Sequence, residues 1–330
     1  MEENSSATVA MMFAGGLGLA AYHAGVYQAF SQKCLPLHWV AGSSAGAATA
    51  ALIAGNRAED RIARMRAFWN FPPIETYRPA PWRHLNGWLG AVRSRVVGNP
   101  GHFHPRLPSM NPFGFRSLYD LSPMRERLPK LIDFDLLNSG ETQICIAATE
   151  IETGDPIIFD SREQRIDLDH VMASCGFLPE FAPIEIDGRL VGDGGLSLNA
   201  PFDPILQSER DDSLLLYVID LYARDGDRPD SFEAALERKN DLLFGNQTYV
   251  RLKYCLELSR LRGKRNNEKD GSREKIVLLS YRAGMEEPGP EKSFEFSAGA
   301  LAQRWQAGVL DMKHSDVLHS NEDIVVVRRT

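Results

Sequence analysis

The sequence predicts an α/β fold built on a mainly parallel sheet, and three observations carry that prediction. Two short apolar runs near the start each end in a glycine-containing turn that opens a helix, the pattern of a parallel βαβ unit. A later run, Leu214 to Ile219, is apolar at every position, as a strand covered on both faces should be. The chain has 330 residues, 43% of them hydrophobic, enough for one large core or two smaller ones.

The elements follow in order. Thr8 to Phe13 reads as the first strand, stopping at Ala14-Gly15-Gly16. A helix runs from about Ala20 to Gln32, and Pro36 marks its end. Leu37 to Ala41 is the second strand. After Gly42-Ser43-Ser44 the small residues Ala45 to Ala54 form a tightly packed helix, closed by Gly55-Asn56. Ala58 to Trp69 is an amphipathic helix with Ile62, Met65 and Phe68 on one side.

Residues 76–119 hold six arginines and no aspartate or glutamate, inside a chain of net charge −7. Leu85, Trp88, Leu89, Val92 and Val96 recur there at helical spacing, and prolines divide the rest into turns. Ser122-Pro123 reads as an N-cap with proline at the first helical position. Gln143 to Ala148 and Pro156 to Phe159 read as strands joined at Thr153-Gly154, and Leu168 to Ser174 as a helix. Ile184 to Val191 is a hairpin turning at Asp187-Gly188. Past Ile219, Phe232 to Leu261 is helical and Arg262 to Lys275 a charged connector. Ile276 to Ser280 and Ile324 to Val327 complete the strands.

Composition excludes several function classes. An acidic chain lacks the basic footprint of a nucleic-acid binder. No run of about 18 apolar residues offers a membrane span. The start, Met1-Glu2-Glu3-Asn4, has no basic region of an export signal, so a cytoplasmic location is expected. The four cysteines lie far apart without a C-x-x-C pair, and neither metal nor cofactor is expected.

Three patterns carry chemistry. Gly42-Ser43-Ser44-Ala45-Gly46 is a G-x-S-x-G, in which small residues let a strand turn sharply into a helix and leave the second serine at the tip. The bland alternative is a helix start with Ser43 or Ser44 as N-cap. Gly15-Gly16-Leu17-Gly18 and Ala21 match a dinucleotide fingerprint by letters, but the next strand ends without the acid that would hold a ribose. The same glycine-rich turn exposes backbone N–H groups, as an oxyanion hole requires. A nucleophilic serine needs a base. None of the eight histidines has a supporting motif; His23 reads as helical and His38 as lying on a buried strand. Asp193, followed by Gly194 and Gly195, is the better candidate, its carboxylate exposed at a sheet edge with no side chains crowding it.

Taken together, these patterns resemble the patatin-like phospholipase family. The resemblance runs along Gly15 to Val26, Val40 to Ala47, Ala173-Ser174, Pro179, Ile186 to Gly188, Asp193-Gly194-Gly195 and Ala200-Pro201. It departs at Leu19, where many members carry arginine or lysine, and at Ala20 in place of the loop's last glycine. The resemblance implies a three-layer α/β/α fold with a Ser–Asp dyad at the C-terminal edge of the strands. Ser44 would be the nucleophile and Asp193 the proton acceptor. The oxyanion hole would be drawn from Gly15, Gly16, Leu17, Gly18 and Ala45, with the N–H groups of Gly16, Leu17 and Ala45 as donors. Gly42, Ser43, Gly46, Gly194 and Gly195 would shape the two motifs. Residues 8–205 would form the catalytic domain, with a proline- and arginine-rich insert at 70–119. Residues 206–330 would be an α/β extension that completes it or packs on it.

The activity implied is hydrolysis of carboxylic esters of lipids through an acyl-enzyme. Two other readings stand beside it: an α/β-hydrolase with a Ser-Asp-His triad, and a non-catalytic lipid-binding module. The arginine-rich stretch 76–119 is either a solvated surface insert or a surface that touches membranes transiently, aromatic and apolar residues inward and cations toward anionic lipid.

Overall fold

A computed structural model describes residues 7–70, 83–106, 117–210, 212–265, 274–282, 289–315 and 323–327. β1 (Thr8–Phe13) leads through a 3-10 turn at Leu17–Ala20 and α1 (Ala21–Ser31) to β2 (Trp39–Ser43). The two strands are parallel, with Ala10 opposite Trp39 and Phe13 opposite Gly42. β2 runs past the expected end at Ala41 through Gly42-Ser43, so the turn into α2 (Ala45–Ala54) is made at Ser44 alone. His38 is exposed ahead of the strand rather than buried on it, and its Nδ1 accepts the Val9 N–H at 3.0 Å.

Next come α3 (Arg61–Phe68) and α4 (Arg83–Val97). On α4, Val96 and Val97 stand 68% and 61% exposed. The Arg95 guanidinium lies 4.1 Å over the Phe294 ring, which ties the end of this helix to the last third of the chain. Residues 76–82 and 107–116 of the arginine-rich stretch lie outside the described residues, as do the side chains of Arg83, Leu85, Trp88 and Leu89. β3 (His104–Pro105) and β4 (Tyr119–Asp120) pair as a small antiparallel ribbon. Ser122 is the first residue of α5 (Ser122–Leu131) rather than its cap, and its N–H is held by Asp120 Oδ1 at 2.8 Å.

After α6 (Phe134–Leu137), β5 (Gln143–Glu150) and β6 (Pro156–Asp160) form an antiparallel hairpin. α7 (Leu168–Ala173) leads to β7 (Ile184–Ile186) and β8 (Arg189–Asp193). Asp187 and Gly188 both have positive φ, 51° and 75°, the conformation a tight two-residue hairpin turn demands. Beyond α8 (Asp203–Leu206) come β9 (Leu214–Asp220), α9 (Phe232–Arg265), β10 (Glu274–Ser280), α10 (Ala298–His314) and β11 (Ile324–Val327).

The large sheet has the order β11-β10-β9-β1-β2-β5-β8-β7, with β6 also on β5. From β11 through β5 every neighbouring pair is parallel. Strand alternation divides the core in two. Val9, Met11 and Phe13 of β1 face the cluster built with α1, α2 and α10, whereas Ala10 and Met12 face the one formed with α8 and α9. The result is three layers, α/β/α. On the first face, α1 and α10 touch backbone to backbone: a Cβ on Gly25 would lie 1.8 Å from the Trp305 carbonyl oxygen. Trp305 Nε1 donates to Gln28 Oε1 at 2.7 Å across the same contact. The strands that follow residue 206 therefore sit in the same sheet as β1, and α10 is fastened to α1.

Candidate active site

Ser44 sits where β2 breaks into α2, with φ 56° and ψ −127°. That combination is strained for any residue with a Cβ, and it swings the side chain out of the sheet. The turn is possible because Gly46 presses against the end of β1; a Cβ there would lie 2.0 Å from the Phe13 carbonyl oxygen. The elbow is braced from behind. The Ser44 N–H donates to Ser174 Oγ at 2.8 Å, and that hydroxyl donates onward to the Ala147 carbonyl at 2.6 Å. Cys175 Sγ reaches the Ser44 carbonyl at 3.3 Å.

The Ser43 hydroxyl lies against Gly194, where an added Cβ would come within 2.5 Å of it. It is buried and has no hydrogen-bond partner among the described residues. An unpartnered buried hydroxyl is a cost to the folded state, so its removal is expected to be harmless or favourable. Ser43→Ala should melt at or above the wild-type temperature and keep ester turnover within about threefold. A loss beyond about tenfold would give Ser43 a part in the chemistry.

Strand β5 works as a ruler that brings a carboxylate to Ser44. β2 pairs along β5 with Ser43 opposite Ala147, and β8 takes over with Asp193 opposite Ala148. Consecutive residues of one strand thus hold Ser43 and Asp193, and Ser44 emerges beside the carboxylate. Asp193 is 1% exposed, not open at a sheet edge, because the turn Gly194–Leu196 folds back over it. Its Oδ1 accepts the Gly195 N–H at 2.7 Å, and Oδ2 has no partner among the described residues. Burial pushes its pKa up to about 7, the Ser44 hydroxyl and the Gly195 N–H holding it back. The hydroxyl is near enough for that effect without closing to an ordinary hydrogen bond, a common looseness in an unliganded site.

The glycine loop lies against the elbow. Leu17 has φ 50°, a left-handed conformation rare for leucine. Among the described residues the N–H groups of Gly16, Leu17 and Ala45 make no hydrogen bond. Gly15 is different from expectation: its N–H donates to Asn199 Oδ1 at 3.0 Å and so is not free for an oxyanion. Gly18 is buried against the carbonyls of Ser293 and Glu295 and does not reach the cavity.

Beside Ser44, Leu17 and Ala45 opens a small apolar cavity of about 30 Å³, walled by Phe68, Trp69, Phe296 and Cys175 among others. His102 shares that wall, although nothing in the sequence around it marks it. Asn199 was also unmarked, though it precedes the Ala200-Pro201 landmark. Phe296 belongs to a segment held down by buried Lys292, which contacts Glu237 at 2.8 Å and Asp241 at 3.2 Å on α9. Buried Arg304 donates to the carbonyls of Lys292 and Glu295, both at 2.7 Å.

The sequence matches the family model of patatin-like phospholipases over residues 11–206. No curated protein sequence matches the chain. Among solved structures it is similar to VipD from Legionella pneumophila, at 13% identity and a TM-score of 0.40, with 92% of this chain covering 67% of that one. It is also similar to the ExoU–SpcU complex from the type III secretion system of Pseudomonas aeruginosa, at 14% identity and a TM-score of 0.31. There 91% of this chain covers 52% of the other, so it spans about half that length.

Proposed function

The chain belongs to the patatin-like phospholipase family, whose members hydrolyse lipid esters, and from that premise we propose that it is a serine acyl hydrolase working through Ser44 and Asp193. The observation that carries this reading is Asp193: a buried carboxylate with one oxygen unpartnered, a pKa of about 7, and a strained serine beside it. An ordinary carboxylate is a weak base; one desolvated to this degree is suited to taking a serine proton near neutral pH.

In the proposed cycle Asp193 accepts the Ser44 proton as Oγ attacks the ester carbonyl. The N–H groups of Gly16, Leu17 and Ala45 hold the developing oxyanion at the start of α2, where the helix dipole favours negative charge. The C–O bond of the ester breaks, and the alcohol leaves with the proton from Asp193. Water, deprotonated by the same carboxylate, then hydrolyses the acyl-enzyme and regenerates Ser44. The leading test is a fluorophosphonate probe, which should label Ser44. An unlabelled protein inert toward esters would favour a binding module instead.

His102 bears on the triad alternative, because it lines the same cavity as Ser44. Its Nδ1 is 3.0 Å from Asn99 Oδ1 rather than from a carboxylate, and burial lowers its pKa to about 3. A base that weak has little pull on a serine proton, which favours the dyad.

The pH profile follows from Asp193. The carboxylate must be ionised to accept a proton, so kcat/KM should rise with pH and reach half its plateau near about 7. Folding stability should move the other way, falling from the ordinary carboxylate range up to about pH 7, because the folded state holds this proton more tightly than the unfolded chain. Rates measured from about pH 5 to about pH 9 check the first part; a flat profile would remove Asp193 as the base.

A further inference from the structure

Helix α9 is packed on one side only. Thr248, Leu252, Cys255 and Leu256 are buried, and a Cβ on Gly245 would lie 2.4 Å from the Tyr222 carbonyl oxygen. On its outer side Phe232, Leu243, Val250, Tyr254 and Leu261 stand between 50% and 79% exposed. At about 100° per residue these five fall within about 40° of one another around the helix axis, opposite the buried set, and they span about 44 Å of its length. Taking roughly 200 Å² for a large side chain, the row exposes roughly 600 Å² of apolar surface, and a continuous patch of that size marks an interaction surface.

Polar residues interrupt the row and decide what can cover it. Lys239, Asn246, Gln247 and Glu257 are exposed on the same side, in steps of three and four with the apolar residues, the spacing of a helix–helix seam. A bilayer fits them badly. Glu257 would enter the apolar boundary beside Leu261, and anionic lipid repels a chain of net charge −7.

The row instead matches its own reverse. Set two copies antiparallel, with a twofold axis passing between residues 246 and 247. Leu243 then stands level with Val250 of the second copy, Phe232 with Leu261, and Lys239 with Tyr254. A twofold axis brings like flanks together, so Lys239 also comes within three residues, about 4.5 Å along the helix, of Glu257 of the second copy. At the axis Gln247 meets Gln247 and Asn246 meets Asn246, amides that both donate and accept. Every interruption thus has a partner. Such a pair covers roughly 1,200 Å² over the two chains, the size at which stable interfaces begin.

We propose that the outer face of α9 docks on the same face of a second copy of this chain, antiparallel, making the protein a homodimer in solution. The proposal is independent of the chemistry assigned to Ser44.

Sedimentation velocity of the full chain decides it. An interface of this size is expected to form a dimer within the range of about 1 to about 100 µM and to dissociate on dilution. Leu243→Asp and Val250→Asp should each leave a monomer throughout that range while melting as the wild type does, since both side chains are exposed. Val96→Asp, at an exposed valine of α4, should leave the dimer intact. Lys239→Glu and Glu257→Lys should each weaken association about fivefold or more, and the double variant should recover it, because the reversed charges again face each other. In a parallel pair these two residues would stand about 27 Å apart and no recovery would follow. A wild type that is monomeric at about 100 µM, or a dimer untouched by both aspartate substitutions, would overturn the proposal. So would a dimer lost equally in Val96→Asp, or a double charge reversal no better than its singles. Binding of a monomeric wild type to phosphatidylcholine–phosphatidylserine vesicles, abolished by Val250→Asp, would overturn it in favour of a membrane.

Discussion

Ser44→Ala is expected to lower ester turnover to below about a hundredth of wild type while the protein keeps its fold. A covalent nucleophile has no substitute, and no residue near the elbow can take its place: Ser43 is fully buried, and the buried Cys175 thiol has its pKa raised by desolvation and by Asp193. The fold should persist because the Ser44 side chain makes no capping bond to α2. The backbone anchors also remain, since the N–H bond to Ser174 and the carbonyl contact from Cys175 do not involve the lost hydroxyl. Removing the hydroxyl takes away the first of the two influences that hold the Asp193 pKa down, so that pKa should rise further in the variant. Turnover of p-nitrophenyl butyrate, with thermal melting to confirm folding, checks the expectation. Residual activity above that level in a pure preparation would remove Ser44 as nucleophile.

Asp193→Asn should be nearly as damaging and, unlike most substitutions of buried residues, should not destabilise the protein at alkaline pH. The amide oxygen can still accept the Gly195 N–H that now binds Oδ1, and shape and burial are kept. What disappears is the proton acceptor, and with it both the attack by Ser44 and the activation of water. Above about pH 7 the wild type carries a buried charge that the variant lacks, so the variant should melt at an equal or higher temperature there. On p-nitrophenyl butyrate no single histidine substitution should match this loss. Were a His102 variant to lose more than Asp193→Asn, the triad would replace the dyad.

Much of the fold could be read from local signals. Short apolar runs bounded by turn residues read as buried strands, and β1, β2 and β9 lie within two residues of where that pattern places them. The Asp187-Gly188 hairpin was equally plain, because the turn requires two positive φ values. The slip at Ser122 was local, Asp120 two residues before it holding its N–H, but the larger one was not. Strand β2 gained Gly42-Ser43 because β1 and β5 offer partners that far along, which no residue of β2 announces.

The candidate site divides along the same line. Ser44 and Asp193 were visible as residue types in turns, because sharp strand-to-helix and strand-to-loop turns tolerate few sequences. Their proximity was not visible: it depends on Ala147 and Ala148 of β5, a register set by two separate strand pairings. Nor was the burial that raises the Asp193 pKa, since desolvation depends on what folds over a group and not on its neighbours in the chain. Gly15 loses its N–H to Asn199, 184 residues away. The cavity wall draws Phe68, His102 and Phe296 from three distant segments. Turn chemistry is written into a few adjacent residues, whereas register, desolvation and cavity shape arise only when segments far apart in the chain are packed together.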